Sequence, residues 1–242
     1  MNQQLVFDFD LIKKYDQSGP RYTSYPTALQ FDDSFDSHAY AETARESNHS
    51  EKALSLYFHI PFCDTVCFYC GCNKIATKDR TKAQPYLDRV FQEMSLQSEL
   101  FDNERTVEQL HWGGGTPTFI SHAQMTELMQ KTADYFKLAD NDSGEYSIEI
   151  DPREATAETV KLLRELGFNR MSLGVQDFDH DVQVAVNRIQ TEEQTLTVLD
   201  SARDQGFRSV SIDLIYGQPF QSVTSIEKTL DRIIKSSPDL LS

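Results

Sequence analysis

"ELGFNRMSLGVQ" (165–176) and "DQGFRSVSIDLIYG" (204–217) spell one junction twice. In each, a helical stretch meets glycine, then phenylalanine, then a run in which apolar residues recur at every second position. Gly167 and Gly206 stand where helices commonly end in the left-handed conformation that glycine adopts without strain. The runs that follow carry the period of a strand. A helix that returns the chain into a strand, used repeatedly, builds parallel βα units with right-handed crossovers.

Working outward, "ALSLYFHI" (53–60), "VEQLHW" (107–112) and "EYSIEI" (145–150) are further runs rich in β-branched and aromatic residues. Amphipathic stretches of helical length separate the runs: "KAQPYLDRVFQEMSLQSELF" (82–101), "SHAQMTELMQKTADYF" (121–136), "ATAETVKLLRELG" (155–167) and "TEEQTLTVLDSARDQG" (191–206). Ser121 with Gln124, and Thr191 with Gln194, predict capping boxes at two helix starts. One more strand is expected at "PDLLS" (238–242), where the sequence stops, as for an incomplete protein. No single glycine-rich dinucleotide turn organises these units, so the fold class expected is α/β, a partial TIM-like barrel. Residues 1–52 hold turn signals and one helix, "SHAYAETARE" (37–46), and read as an arm ahead of a barrel over 53–242. Barrels of this kind place chemistry at the C-terminal ends of their strands. Those ends carry His59 with a cysteine loop, then "GGGTPT" (113–118), "EIDPRE" (149–154), "GVQ" (174–176) and "DLIYGQP" (213–219).

Composition sets the surroundings. The chain has 242 residues, 39% of them hydrophobic, enough for a sizeable core, and a formal charge of -15. That charge disfavours nonspecific contact with nucleic acid or an anionic membrane. No apolar run is long enough to span a bilayer, and the start, "MNQQLVFDFDLIKKYD", lacks the features of a signal peptide. A cytoplasmic protein, acting as a monomer, is expected, with its thiols reduced.

All four cysteines fall in "HIPFCDTVCFYCGC" (59–72), as Cys63, Cys67, Cys70 and Cys72, with spacing C-x3-C-x2-C-x-C. Zinc modules normally pair two knuckles separated by roughly 12–20 residues, and the second knuckle is missing here. A redox pair of Cys67 and Cys70 leaves Cys63 unexplained, and structural thiols rarely cluster in a loop with proline and glycine. An iron–sulfur cluster needs several thiolates converging on one object, which a short loop supplies.

The C-x3-C-x2-C spacing after a first strand resembles the radical SAM superfamily, in which three cysteines hold a 4Fe–4S cluster whose open iron takes S-adenosylmethionine. "LSLYFHIPFCDTVCFYCGCNKI", "LHWGGGTPT", "SIEIDPRE", "GFNRMSLGVQDF", "IDLIYGQP" and the early "YDQSGPRYTSYPTA" together resemble the oxygen-independent coproporphyrinogen III oxidase family. The resemblance runs in order from about residue 11 to the end. It implies a three-quarter barrel, about half of a family member, with a C-terminal domain outside this chain.

Carried over by position, the resemblance makes Cys63, Cys67 and Cys70 the cluster ligands and leaves Cys72 out. It gives contacts to S-adenosylmethionine to Tyr57, Gly114, Glu149, Gln176, Arg188 and Asp213. A second S-adenosylmethionine would rest near Tyr69, Gly115 and Thr116. Here the order is Phe68–Tyr69, where the family often shows the reverse. The implied reaction is oxidative decarboxylation of two propionates of coproporphyrinogen III to vinyl groups, through a 5′-deoxyadenosyl radical, giving protoporphyrinogen IX in haem biosynthesis. An electron donor and an acceptor are implied without being identified, and no classical acid–base residue is required. A haem-binding or haem-transferring relative, or an inactive fragment, is the alternative.

Taken singly, many of these residues have plainer readings. Gly113–Gly115 would serve an ordinary tight turn, Glu149 and Asp151 solvated strand ends, Arg188 a surface helix, and His59 and His111 structural hydrogen bonds. Their joint placement at one barrel edge favours function. Residues 71–89 carry five cations (Lys74, Lys78, Arg80, Lys82, Arg89) against two acids (Asp79, Asp88), a local basic patch. Arg21, flanked by Tyr22 and Tyr25, is the better candidate for a substrate with carboxylates on a flat ring, since the resemblance lays the N-terminal arm over the site.

Overall fold

The computed structural model describes residues 7–16, 26–50 and 52–242, in two compact units, Met1–Thr43 and Ala44–Ser242. Arg21, Tyr22 and Tyr25 lie outside the described residues. Ahead of the expected helix α2 (Ser37–Glu46) stands a second, α1 (Phe9–Tyr15), whose N-terminus is capped by the Asp8 carboxylate. Its seven residues bury nothing, so no apolar periodicity announced it.

In the larger unit the strands are β1 (Leu54–Ile60), β2 (Phe62–Cys63), β3 (Ile75–Ala76), β4 (Thr106–Gly114), β5 (Lys137–Leu138), β6 (Glu145–Ile150), β7 (Arg170–Gln176), β8 (Ser209–Leu214) and β9 (Leu240–Leu241). The helices are α3 (Ala83–Ser98), α4 (His122–Tyr135), α5 (Ala157–Glu165), α6 (His180–Ala185), α7 (Glu192–Asp204) and α8 (Val223–Ser236). The main sheet runs β1-β4-β6-β7-β8-β9, every pair parallel, with β5 beside β4. Strands laid side by side in chain order, with helices between them, form the expected partial barrel. The strand at "PDLLS" is β9. Helices α6 and α8 were not anticipated.

Alternation sorts the residues. Phe58, Trp112, Ile148, Met171 and Val210 are buried and face the helices, with Trp112 packed edge-on to Phe168 at 4.8 Å. Each such burial contributes about 1.5–3 kcal/mol. The opposite face carries Tyr57, His111, Ser147 and Arg170, aligned in register across β1, β4, β6 and β7. A polar inner face opposed to an apolar outer one turns the reactive groups into the barrel.

The helix ends are made as read. Ser121–Gln124 and Thr191–Gln194 are reciprocal capping boxes, and Gly167 and Gly206 have φ of 98° and 76°. Thr156–Thr159 and Ser222–Ser225 close two more boxes with a hydroxyl in place of the usual Gln or Glu.

Candidate active site

The cysteine loop leaves the C-terminal end of β1 and is pinched at its base. Ile75 N–H donates to Pro61 O at 2.7 Å and Thr77 N–H to Cys63 O at 2.8 Å, pairing β2 with β3. The loop's middle is held from the far side of the barrel edge: Asn187 Nδ2 donates to Val66 O at 2.8 Å, and Phe68 N–H to Val186 O at 3.0 Å. Asn187 follows α6 with φ of 55°, a conformation asparagine tolerates, so α6 anchors this loop. Arg80 clamps a third side. Its guanidinium reaches Asp64 at 2.9 Å and Glu154 at 3.2 Å and lies 3.9 Å over the Phe119 ring. Arg80 is thereby engaged within the protein; of the basic patch, Lys74 donates to Cys70 O at 2.8 Å.

Cys63, Cys67 and Cys70 line one cavity together with Tyr69, Thr116 and Arg188. All four cysteines are free; Cys67 is buried, and Cys72 is exposed and absent from that lining. Gly115 also lines it, and a Cβ there would stand 2.7 Å from Phe62 O and 2.9 Å from Cys63 Sγ. Only glycine lets the two loops approach this closely. Thr116 Oγ1 lies 3.6 Å from Cys63 Sγ.

Among the described residues, no three His, Cys, Asp or Glu side chains are grouped to hold a single metal ion. Three thiols spread around one cavity suit a multinuclear cluster, which holds its ligands farther apart than one ion does. Burial pushes the Cys63 thiol pKa up, and the neighbouring Cys70 and Cys67 thiols add to the rise. Thiolates gathered this way need the positive charge of iron among them, so the donor set fits an iron–sulfur cluster.

Beside the cavity runs a hydrogen-bonded row. His59 Nε2 lies 2.7 Å from Asn73 O, which can only accept, so Nε2 carries the proton and Nδ1 accepts from the Tyr57 hydroxyl at 2.9 Å. The Tyr57 ring stacks on His111, whose Nδ1 meets Ser147 Oγ at 2.7 Å and whose Nε2 meets Glu149 Oε1 at 3.4 Å. Glu149 Oε2 accepts from Gly114 N–H at 3.1 Å. Gly114 has φ of 114°, and a Cβ there would strike the His59 ring at 2.7 Å. The plain reading of the histidines holds in part, because both are engaged, yet they tie Tyr57, Gly114 and Glu149 into one row. Across the barrel, Gln176 ends β7 at φ 70°, and Asp213, paired in register with Gly174, accepts from Ser172 Oγ at 2.7 Å.

Two of the plainer readings fail. Arg188 is no surface residue: its side chain is 9% exposed, its Nη1 meets Asp151 Oδ2 at 3.1 Å and its Nη2 donates to Gly174 O at 2.6 Å. Asp151 is no solvated acid, being equally buried and also held by Arg153 at 2.9 Å (Nε to Oδ1) and 2.6 Å (Nη2 to Oδ2). Burial alone would raise the Asp151 pKa; the Arg153 hydrogen bonds and both guanidinium charges more than offset it and hold the carboxyl below its usual range. Sequence reading passed over Arg153 altogether. The signal was "DPR": Asp151 caps a one-turn helix that brings the residue two positions on back over it.

The radical SAM superfamily model matches residues 57–233, from the first inward tyrosine through most of α8. The chain belongs to the radical SAM superfamily. It is similar to oxygen-independent coproporphyrinogen III oxidases: to that of Pseudomonas aeruginosa, 53% identical over all of this chain and 53% of the relative, and to that of Escherichia coli, 49% identical over 99% of this chain and 51% of the relative. Among solved structures, Escherichia coli coproporphyrinogen III oxidase, described as a radical SAM enzyme, matches with a TM-score of 0.87 at 46% identity over 99% of this chain and 53% of that one. The chain thus spans about half the length of the curated relatives it matches. Membership of the superfamily implies a 4Fe–4S cluster and S-adenosylmethionine. Among the described residues no helix is long and apolar enough to cross a membrane.

Proposed function

We propose that this chain is the barrel portion of an oxygen-independent coproporphyrinogen III oxidase, with residues 53–242 forming the radical SAM barrel, residues 1–52 preceding it in the sequence, and Arg21 a contact to the substrate. The observation that carries the reading is the gathering of Cys63, Cys67 and Cys70 around one cavity at the strand ends, in a chain similar along its length to such oxidases. Those three thiolates would hold the cluster. When bound, the cluster and S-adenosylmethionine supply a 5′-deoxyadenosyl radical able to take a hydrogen atom from a propionate β-carbon of coproporphyrinogen III. The propionate then loses carbon dioxide and passes one electron to an acceptor, leaving a vinyl group; two rounds give protoporphyrinogen IX.

The chain's own part is binding and shielding. Gly114 leaves room for the His59 ring beside the cofactor position assigned to it, and Glu149, already accepting from Gly114 N–H, would receive a methionine amino group. Tyr57, 57% exposed, offers a ring and hydroxyl beside it. Arg188 suits a carboxylate, and Gln176 and Asp213 suit ribose hydroxyls. Tyr69, Gly115 and Thr116, on the cavity wall, are assigned to a second S-adenosylmethionine. Burial pushes the Tyr69 hydroxyl pKa well up, so it stays a neutral donor. A monomer, an electron donor and an electron acceptor complete the proposal.

The full-length protein, reconstituted anaerobically, should cleave S-adenosylmethionine and convert coproporphyrinogen III to protoporphyrinogen IX. Cleavage with no conversion, or stoichiometric haem binding in its place, would overturn the oxidase assignment.

Asp213 gives a sharper check. Burial, more than any neighbour, raises its carboxyl pKa, and the Glu149 charge adds to that rise. A folded value above the unfolded one means the ionised side chain opposes folding at neutral pH. The penalty fades as the pH falls toward the unfolded value of about 3.9. Asp213→Asn should therefore melt higher than the parent at pH 7, lose that advantage on acidification, and bind S-adenosylmethionine about tenfold more weakly, as losing a charged hydrogen bond predicts. Melting curves and equilibrium dialysis read the two effects separately. A variant that melts lower with binding intact would make Asp213 merely structural.

A further inference from the structure

Cys67 differs from the other two thiols of the cavity in being buried and in the company its sulfur keeps. Arg188 Nη1 stands 3.5 Å from Cys67 Sγ and Arg153 Nη2 stands 3.9 Å from it. The same two nitrogens share Asp151 Oδ2, at 3.1 and 2.6 Å. Two guanidiniums and one carboxylate thus meet beside a single sulfur and leave one net positive charge. Arg188 is also fixed from behind by Gly174 O, where a Cβ on Gly174 would stand 2.9 Å from Arg188 Nη2. Among the described residues Arg153 has no such second anchor in the barrel wall; its fork onto Asp151 sets its place. The other acids lining this cavity, Asp64 and Glu154, are taken up by Arg80.

We propose that Arg153 is a positioning residue that sets the reduction potential of the cluster held by Cys67, by keeping a positive charge and an N–H donor at that sulfur. The inference rests on the reading of Cys63, Cys67 and Cys70 as cluster ligands. Adding an electron makes the cluster and its sulfurs more negative, and hydrogen bonds and cations at a ligand sulfur favour that state. Removing the Arg153 charge leaves Asp151 and Arg188 as a neutral pair, so the cluster becomes harder to reduce. Arg153 touches neither substrate nor the reacting atoms in this role; it acts through the sulfur.

The test uses Arg153→Gln and Arg153→Lys in the purified, anaerobically reconstituted protein, with iron and sulfide per chain, melting temperature and a dye-mediated redox titration followed by electron paramagnetic resonance. Arg153→Gln should load the cluster and show about a tenfold lower ratio of reduced to oxidised cluster at fixed potential, about 59 mV for a one-electron couple. Arg153→Lys, which keeps the charge, should retain most of the parent's ratio. A normally loaded Gln variant with an unchanged ratio, or Gln and Lys variants that shift alike, would overturn the role. So would a Lys variant that folds yet fails to load, since Arg153 would then serve assembly instead. Cluster loading in Cys63→Ala at the parent's level would instead strike at the ligand assignment itself, which separates the two failures.

Discussion

Cys67→Ala should lose the cluster entirely, and with it all S-adenosylmethionine cleavage, while Cys72→Ala keeps both. The two thiols lie five residues apart in one loop, so a general loosening of the loop would affect them alike. Their surroundings separate them. Cys67 is buried on the cavity wall between Arg153 and Arg188, and Cys72 is exposed and absent from that wall. Truncating a buried thiol removes one small apolar atom and costs about 1 kcal/mol of stability, too little to unfold the barrel. Loss of cluster from a protein with a near-parental melting curve therefore reports ligation and not folding. The measurement is iron and sulfide content with the visible charge-transfer absorbance, taken beside a thermal melt. Equal loss in both variants would mean that the loop, and no particular thiol, carries the site.

A difference between Cys67 and Cys72 was expected before any coordinates, because the resemblance to the radical SAM superfamily set three thiols apart from the fourth. The same holds for the sheet. Period-two runs bounded by capping boxes and by Gly167 and Gly206 place every long strand to within a few residues, since those signals are local. What stayed hidden is long-range. Nothing near Arg188 in the sequence announces Asp151, which lies thirty-seven positions earlier and meets it only because β6 and β7 are neighbours in the barrel. Taken alone, Arg188 therefore had a surface helix as its plainer reading, and only the resemblance gave it a cofactor contact. Helix α6 was missed for a related reason: its six residues are too few to show a period, though the Asp179 carboxylate caps it and it positions the loop bearing Asn187. Helix α8 fills fourteen residues but buries only Thr229 and Ile233, so its apolar stripe had little core to answer to.

Asp151→Ala should be the most destabilising single change at the site, because it strands two cations. Arg153 and Arg188 are 20% and 9% exposed, and Asp151 is the carboxylate both of them bond. Arg188 Nε has no hydrogen-bond partner even with Asp151 in place. Breaking a buried pair from one side leaves charge without compensation, at a cost of about 3–5 kcal/mol. That is a large part of the 5–15 kcal/mol that holds an ordinary domain together. Acid should act on the parent in the same direction. The Asp151 carboxyl titrates below its unfolded value, so its contribution is complete above about pH 4 and is lost as the pH falls through the folded pKa. Urea unfolding at pH 7 should show the full deficit for Asp151→Ala, and at pH 3 the gap between variant and parent should narrow. A gap that stays constant across that range would assign the loss to packing around Pro152 and the one-turn helix, and would leave the ion network with no share in the stability of the barrel edge.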